Sequence, residues 1–249
     1  MHKYRMTLAY DGTHYAGWQI QPNALTIQEL VQKALSTALR TPTFVTASGR
    51  TDAGVHALAQ IAHFTHDAPL DTTKLLLSLN GLLPLDIRIL QIEQVDLAFH
   101  ARYSATAKTY HYHLHLERTI DPFKRLYAYR PPHPLDLELL RQGAQLFVGK
   151  HDFTSFANEP ERGSVSRGGV RTLYRLDIVP ESGGVRLEFE GDGFLYKMVR
   201  NIVGTLIDLA SGKIPLEEIN TIFQAKDRRR AGVAAPPQGL FLVEVKYAS

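Results

Sequence analysis

One order of hydrophobic periodicities runs twice along this chain, and it limits the possible folds more than any other feature. Tyr4, Met6, Leu8 and Tyr10 alternate with Lys3, Arg5 and Thr7, the period of a strand with one buried face. After a loop rich in Gly, Gln and aromatics comes "TIQELVQKALSTALR" at 26–40. There Ile27, Leu30, Val31, Ala34, Leu35 and Ala38 recur at helical spacing, and Thr26 with Glu29 has the signature of a capping box. Strand-like runs at 44–48 and 56–65, a short helix near 72–80 and the strand "DIRILQIEQV" complete a β-α-β-β-α-β order. The second pass begins at "KTYHYHLHLE", with Tyr110, Tyr112, Leu114 and Leu116 on one face and three histidines on the other. A helix over 136–147, a polar stretch "NEPERGSVSRGGVR", a hairpin over 173–193, a helix over 194–212 closed by Gly212, a helix near 216–224 and the strand "GLFLVEVKY" follow. Hairpins demand antiparallel pairing. The order therefore predicts an α+β chain in two halves, 1–105 and 106–249, with mainly antiparallel sheets.

Composition narrows the setting. With 44% apolar and 21% charged residues, the 249-residue chain is that of a globular protein. Its 28 basic and 25 acidic residues leave a net charge of +3, which permits an anionic partner without demanding one. Cysteine is absent, which excludes disulfides and cysteine-bearing zinc sites and suits a reducing interior. The start alternates like a strand, and "LLLSLNGLLPL" is interrupted by Ser78, Asn80, Gly81 and Pro84, so neither a signal peptide nor a membrane span is expected; the expected location is the cytoplasm. Alternate histidines in "HYHLH" have zinc-ligand spacing, but only Glu117 lies nearby to complete a site, and no metal is expected. Positive charge concentrates in "KDRRRAG" at 226–232 and "ERGSVSRGGVR" at 161–171, either as solvated surface or as a docking face for phosphates.

The chemistry-bearing stretch is "ASGRTDAGVHALAQIAHF" at 47–64. Gly49 and Gly54 bracket a charged turn that exposes Asp52 between two strand-like runs. An aspartate in a turn commonly serves only the backbone beside it. On the helix over 194–212, Val199, Ile202, Val203, Leu206, Ile207 and Ala210 form the core stripe, with Arg200 at its edge, able to run along the core boundary toward a carboxylate.

"GRTDAGVHA" at 49–57 resembles the catalytic-loop signature of the tRNA pseudouridine synthase A (TruA) family. "YDGTHYAGWQIQP" at 10–22, "FHARYSATAKTYHY" at 99–112, "DFTSFA" at 152–157, "MVRNIVG" at 198–204 and "GLFLVEV" at 239–245 agree in the same order. The resemblance implies a pseudouridine synthase fold, two ferredoxin-like (RRM-like) halves whose sheets join around a central cleft. It also implies a homodimer acting on tRNA, turning uridine into pseudouridine at positions 38–40 of the anticodon stem-loop. In that reaction the N1–C1′ bond breaks, the base turns over, and C5 joins C1′. The change is redox-neutral and uses no ATP, in keeping with the missing P-loop and dinucleotide fingerprints, and no cofactor is expected.

By the same resemblance Asp52 is the nucleophile or base, Arg200 the cation that keeps it ionised, and Tyr110 the ring that stacks on the target uracil and helps remove the C5 proton. Arg50 fills the space left by the flipped base, and Leu240 lines the uracil pocket. His56 is placed outside the catalytic set, with a structural or RNA-contact role. Two other functions are consistent with the residues alone: a nucleoside or glycoside hydrolase, which ordinarily needs a second carboxyl, and a passive RNA-binding module, which needs no Asp52.

Overall fold

The structure is a computed structural model, and it describes residues 1–158 and 168–248. The contacts divide the chain into two compact units, Met1–Thr106 with Phe241–Ser249, and Ala107–Leu240. The last strand, expected with the second half, is thus grouped from Phe241 onward with the first.

The first unit contains β1 (His2–Tyr10), α1 (Ile27–Leu39), β2 (Thr46–Ala47), β3 (His56–His66), α2 (Thr72–Leu82) and β4 (Ile87–Val95). This is the β-α-β-β-α-β order expected from the periodicities. β1 lies between β4 and β3, antiparallel to both, and β2 pairs with β3 at Thr46↔His63 and Ala47↔Ala62. The resulting order β4-β1-β3-β2 is that of a ferredoxin-like unit. Tyr4, Met6, Leu8 and Tyr10 are all buried, and the Tyr4 ring stacks on Phe64 at 5.3 Å. Over this region α1 buries Ile27, Val31, Ala34 and Leu35 as one stripe.

The capping box is not formed. Thr26 is the N-cap of α1, but its side chain caps nothing, and its buried Oγ1 has no hydrogen-bond partner among the described residues. Tertiary packing of Ile27 and its neighbours fixes the helix start where the local signal does not. A buried hydroxyl without a partner costs about 1–3 kcal/mol relative to an apolar group of equal shape. Thr26→Val should therefore raise the unfolding free energy by about 1 kcal/mol, measurable by denaturant titration.

The second unit carries β5 (Ala105–His115), α3 (Leu137–Gln145), β6 (Gly149–Asp152), β7 (Val170–Glu181), β8 (Gly184–Gly191), α4 (Met198–Ala210) and α5 (Glu218–Ala225). Its strands run β5-β8-β7-β6, every neighbour antiparallel. Gly183, at a φ of 80°, makes the turn of the β7–β8 hairpin where it was read. α4 begins at Met198 rather than 194. Lys197, its N-cap, is left-handed at a φ of 59°, so the helix cannot extend upstream through it. The short β6 has no apolar alternation and was not anticipated. The final strand, β9 (Leu240–Tyr247), pairs in parallel with β3 at His56↔Phe241 and Ala57↔Leu242, which is why it joins the first unit.

Candidate active site

In the first unit the loop between β2 and β3 presents Asp52 part-exposed, between buried Thr51 and exposed Ala53. Only one of the two bracketing glycines has the special conformation: Gly54 turns the chain at a φ of 76°. The rest of the loop's shape comes from a second loop laid against it. The amide of Trp18 donates to the Thr51 carbonyl (3.1 Å) and that of Gly54 to the Tyr15 carbonyl (3.3 Å), while Val55 N–H donates to the carbonyl of Asp52 itself (3.1 Å). Contact is close enough to exclude side chains. A Cβ on Gly12 would lie 2.0 Å from the Val55 oxygen, and one on Gly17 would lie 2.5 Å from the Thr51 oxygen. "YDGTHYAGW" is therefore a backbone cradle for the aspartate loop.

Arg50 is exposed on the same loop, its Nε donating to Gln19 Oε1 at 3.2 Å. His56 is buried, its ring stacked on Phe241 at 4.5 Å, with Nδ1 3.1 Å from both the Gly12 amide and Asp11 Oδ1. It ties β3 to β9 and to the cradle. Tyr15 donates to Asp86 Oδ1 at 2.6 Å; burial, reinforced by Asp86 and Asp11, pushes its hydroxyl far above the ordinary tyrosine range.

Tyr110, Arg200 and Leu240 all belong to the second unit. Tyr110 is buried on β5, directly opposite Phe189 on β8, with Phe194 edge-on at 4.9 Å. Arg200, half-buried in the first turn of α4, donates from Nε to the Ala235 carbonyl (2.7 Å), and Ala235 N–H donates back to the Arg200 carbonyl (2.9 Å). Its charge acts on Tyr112, next on the Tyr110 face, whose hydroxyl donates to the Pro236 carbonyl at 2.7 Å. Burial drives that hydroxyl far above its ordinary pKa and Arg200 opposes the shift only in part, so Tyr112 stays protonated. Leu240 is buried just beyond the turn Pro237–Gly239, and Gly239 lies against the Tyr112 ring. Arg200, Tyr112 and Leu240 thus share the 235–240 segment as a common support.

The expected docking charges do not stand free. Lys226 pairs with Asp152 (2.9 Å), Arg229 with Asp227 (2.7 Å) and Arg230 with Glu218 (2.8 Å). Arg228 turns inward, donating to Asn201 Oδ1 at 2.7 Å and to the Ala231 carbonyl at 3.1 Å. Only Arg228 braces the interior; the other three form ion pairs at the surface. Of the other basic stretch, residues 161–167 lie outside the described residues. The strand histidines are engaged with acids and backbone: His113 lies 3.0 Å from Glu181, His111 3.8 Å from Glu188, and His115 Nε2 2.9 Å from the Thr119 carbonyl. Among the described residues, no cluster of three His, Cys, Asp or Glu side chains has metal-binding geometry.

Comparison with known proteins identifies the family. A family model described as tRNA pseudouridine synthase matches residues 6–104 and 144–248. The chain belongs to the tRNA pseudouridine synthase family. It is 59% identical over 248 residues to "tRNA pseudouridine synthase A 1" of Protochlamydia amoebophila, covering 99% of this chain and 97% of the relative. It is 47% identical to "tRNA pseudouridine synthase A" of Chlamydia muridarum (98% and 91% covered) and 43% identical to that of an Exiguobacterium species (99% and 98%). The match to the family model includes Arg50, Asp52, Arg200 and Leu240; Tyr110 lies in the gap between its two segments.

Sequence reasoning missed the polar residues beneath the family's signature loop. Gln60 and Ser48 are completely buried, and Tyr10 is 4% exposed. They are joined to one another, and to Thr51 and Gly49, by hydrogen bonds across up to fifty positions of sequence. The available signal was one glutamine inside the apolar run "HALAQIAHF". Equally unforeseen is Asn201, fully buried on α4, whose amide holds the Phe156 carbonyl (2.8 Å) and Asn158 Oδ1 (3.0 Å).

Proposed function

We propose that this chain isomerises uridine to pseudouridine in tRNA, at positions 38–40 of the anticodon stem-loop, with Asp52 as the reacting carboxylate. The observation that carries the reading is the loop itself. In a chain of this family, an aspartate is presented part-exposed on a loop whose backbone is fixed by hydrogen bonds from a second loop. Asp52 attacks the sugar or base, or takes a proton from C2′; the N1–C1′ bond breaks, C1′ bonds to C5, and the C5 hydrogen is lost while N1 gains one. Arg200 supplies the positive charge that the reacting carboxylate uses. Tyr110 receives the extruded uracil, and Leu240 closes the apolar side of its pocket. Arg50 takes the place of the flipped base. The active form is a cytoplasmic homodimer needing no cofactor.

The test uses tRNA labelled with tritium at uridine C5. Pseudouridine formation releases tritium to water with the chain intact, a hydrolase releases labelled uracil, and a passive binder releases neither. Arg50, exposed and bonded only through Nε to a neighbouring glutamine among its described contacts, should contribute to RNA affinity rather than to fold. Arg50→Ala is expected to weaken tRNA binding about tenfold and to lower the slope of log affinity against log salt by about one. An unchanged salt slope in filter binding would remove Arg50 from the RNA contact set.

A further inference from the structure

Beneath the aspartate loop lies a buried polar chain that the proposed chemistry does not use. Gln60, on β3, donates from Nε2 to the Gly49 carbonyl (2.9 Å) and to the Tyr10 hydroxyl (3.4 Å). The Tyr10 oxygen lies 2.8 Å from Thr51 Oγ1. Either hydroxyl can be the donor in that bond, and the phenolic oxygen accepts from Gln60 as well. The amide oxygen of Gln60 accepts from Ser48 Oγ (2.8 Å) and from the Ile61 amide (3.2 Å), which fixes which end of the side chain faces the loop. Both ends of the three-residue segment 49–51 are therefore pinned from below, at Gly49 by Gln60 and at Thr51 by Tyr10. Asp52 is the next residue.

The strands are built to place these groups. Leu8 pairs with Gln60, but Tyr10 pairs with Ala57, so β3 carries one extra residue between the two pairs. This bulge reverses the alternation, sending Leu58 outward to 50% exposure while Tyr10 and Gln60 stay on the buried face. Trp18 seals the chain: it is 1% exposed, its ring lies 6.1 Å from Tyr10, and its amide holds the Thr51 carbonyl. Burial pushes the Tyr10 hydroxyl up to about 12, so it stays a neutral phenol within hydrogen-bond distance of Thr51 at any working pH. Such a network is rigid because every member is satisfied, and loosening one member frees the others.

We infer that Tyr10 and Gln60 are positioning residues for the isomerase, holding the Gly49–Thr51 segment so that Asp52 is aimed before substrate arrives. This rests on Asp52 being the reacting carboxylate. A displacement of about 1 Å at a reacting group can lower the rate by about 100-fold without altering the chemistry.

The experiment measures single-turnover pseudouridine formation and tRNA affinity for the full chain, with thermal unfolding beside them. Tyr10→Phe removes one buried oxygen and should slow the chemical step roughly 10- to 100-fold while tRNA affinity stays within about twofold. Thr51→Val should behave alike, and Thr51→Ser, which keeps the oxygen, should recover most of that loss. If both act through one hydrogen bond, Tyr10→Phe/Thr51→Val should be no slower than the slower single variant. Parental rates in Tyr10→Phe and Thr51→Val, with Asp52→Asn inactive, would overturn the inference and leave the reading of Asp52 standing. So would losses that multiply, or that follow a fall in affinity or melting temperature. A fully active Asp52→Asn would overturn both, and that single variant identifies this case.

Discussion

Asp52→Asn should bind tRNA as tightly as the parent protein and form pseudouridine at least about 10²-fold, and up to about 10⁴-fold, more slowly, the range expected when a reacting side chain is removed. Asparagine matches aspartate in shape but has neither the negative charge nor the basicity. The backbone bonds that fix the loop, Trp18 to Thr51, Gly54 to Tyr15 and Val55 to the Asp52 carbonyl, make no use of the carboxylate. Folding and docking should survive while the step that breaks the N1–C1′ bond is lost. The measurement is tritium release from C5-labelled tRNA under single-turnover conditions, with equilibrium binding in parallel. Parental turnover would reduce Asp52 to an ordinary turn residue and return the passive RNA-binding reading to the front.

Residues that act through their neighbours in sequence were legible; those that act through distant backbone were not. The strand alternation at Tyr4–Tyr10, the helical stripe from Ile27 to Leu35 and the Gly183 turn each express a local period or a local dihedral, and all appear in the structure as read. The signature loop was visible because its residue types are unusual between two strands. Its support was not visible, since the partner of Thr51 lies forty-one positions away in Tyr10 and its cradle depends on Gly12 and Gly17 having no side chains. Local signals also misled where tertiary contacts took over. Thr26 with Glu29 has the pattern of a capping box and forms none. The arginines at 228–230 look like one cationic run, yet Arg228 turns inward to Asn201 while Arg229 and Arg230 pair with Asp227 and Glu218 at the surface. A charge run in sequence gives the number of cations but not their counter-ions, which the fold supplies from Asp152 and Glu218.

Gly204 shows the same limit as a sign reversal. From sequence alone, replacing a glycine inside α4 by alanine should stabilise, since glycine costs about 0.8–1 kcal/mol in a helix interior. The structure reverses this. A Cβ on Gly204 would stand 1.8 Å from the Val233 carbonyl oxygen, and Gly232 packs back against the Gly204 backbone. That contact lets three bonds form between α4 and the 232–235 segment: Gly232 N–H to Thr205 Oγ1 (2.9 Å), Ala235 N–H to the Arg200 carbonyl (2.9 Å) and Arg200 Nε to the Ala235 carbonyl (2.7 Å). A methyl group must push helix and segment apart and strain all three. With about 1–3 kcal/mol for overpacking and about 1 kcal/mol for each weakened bond, Gly204→Ala should lose roughly 3 kcal/mol or more, about 6–12 °C in Tm for a chain of this size. Gly81→Ala is the contrast: Gly81 lies near the end of α2 with nothing within 4 Å of its Cβ position, so there the helix propensity should prevail and the melting temperature should hold or rise. Because Arg200 is one turn before Gly204, activity in Gly204→Ala should fall further than unfolding accounts for at a temperature where the variant remains folded. If Gly204→Ala melts at or above the parent temperature, the close approach of α4 to Val233 is wrong, and with it the account of how Arg200 is held.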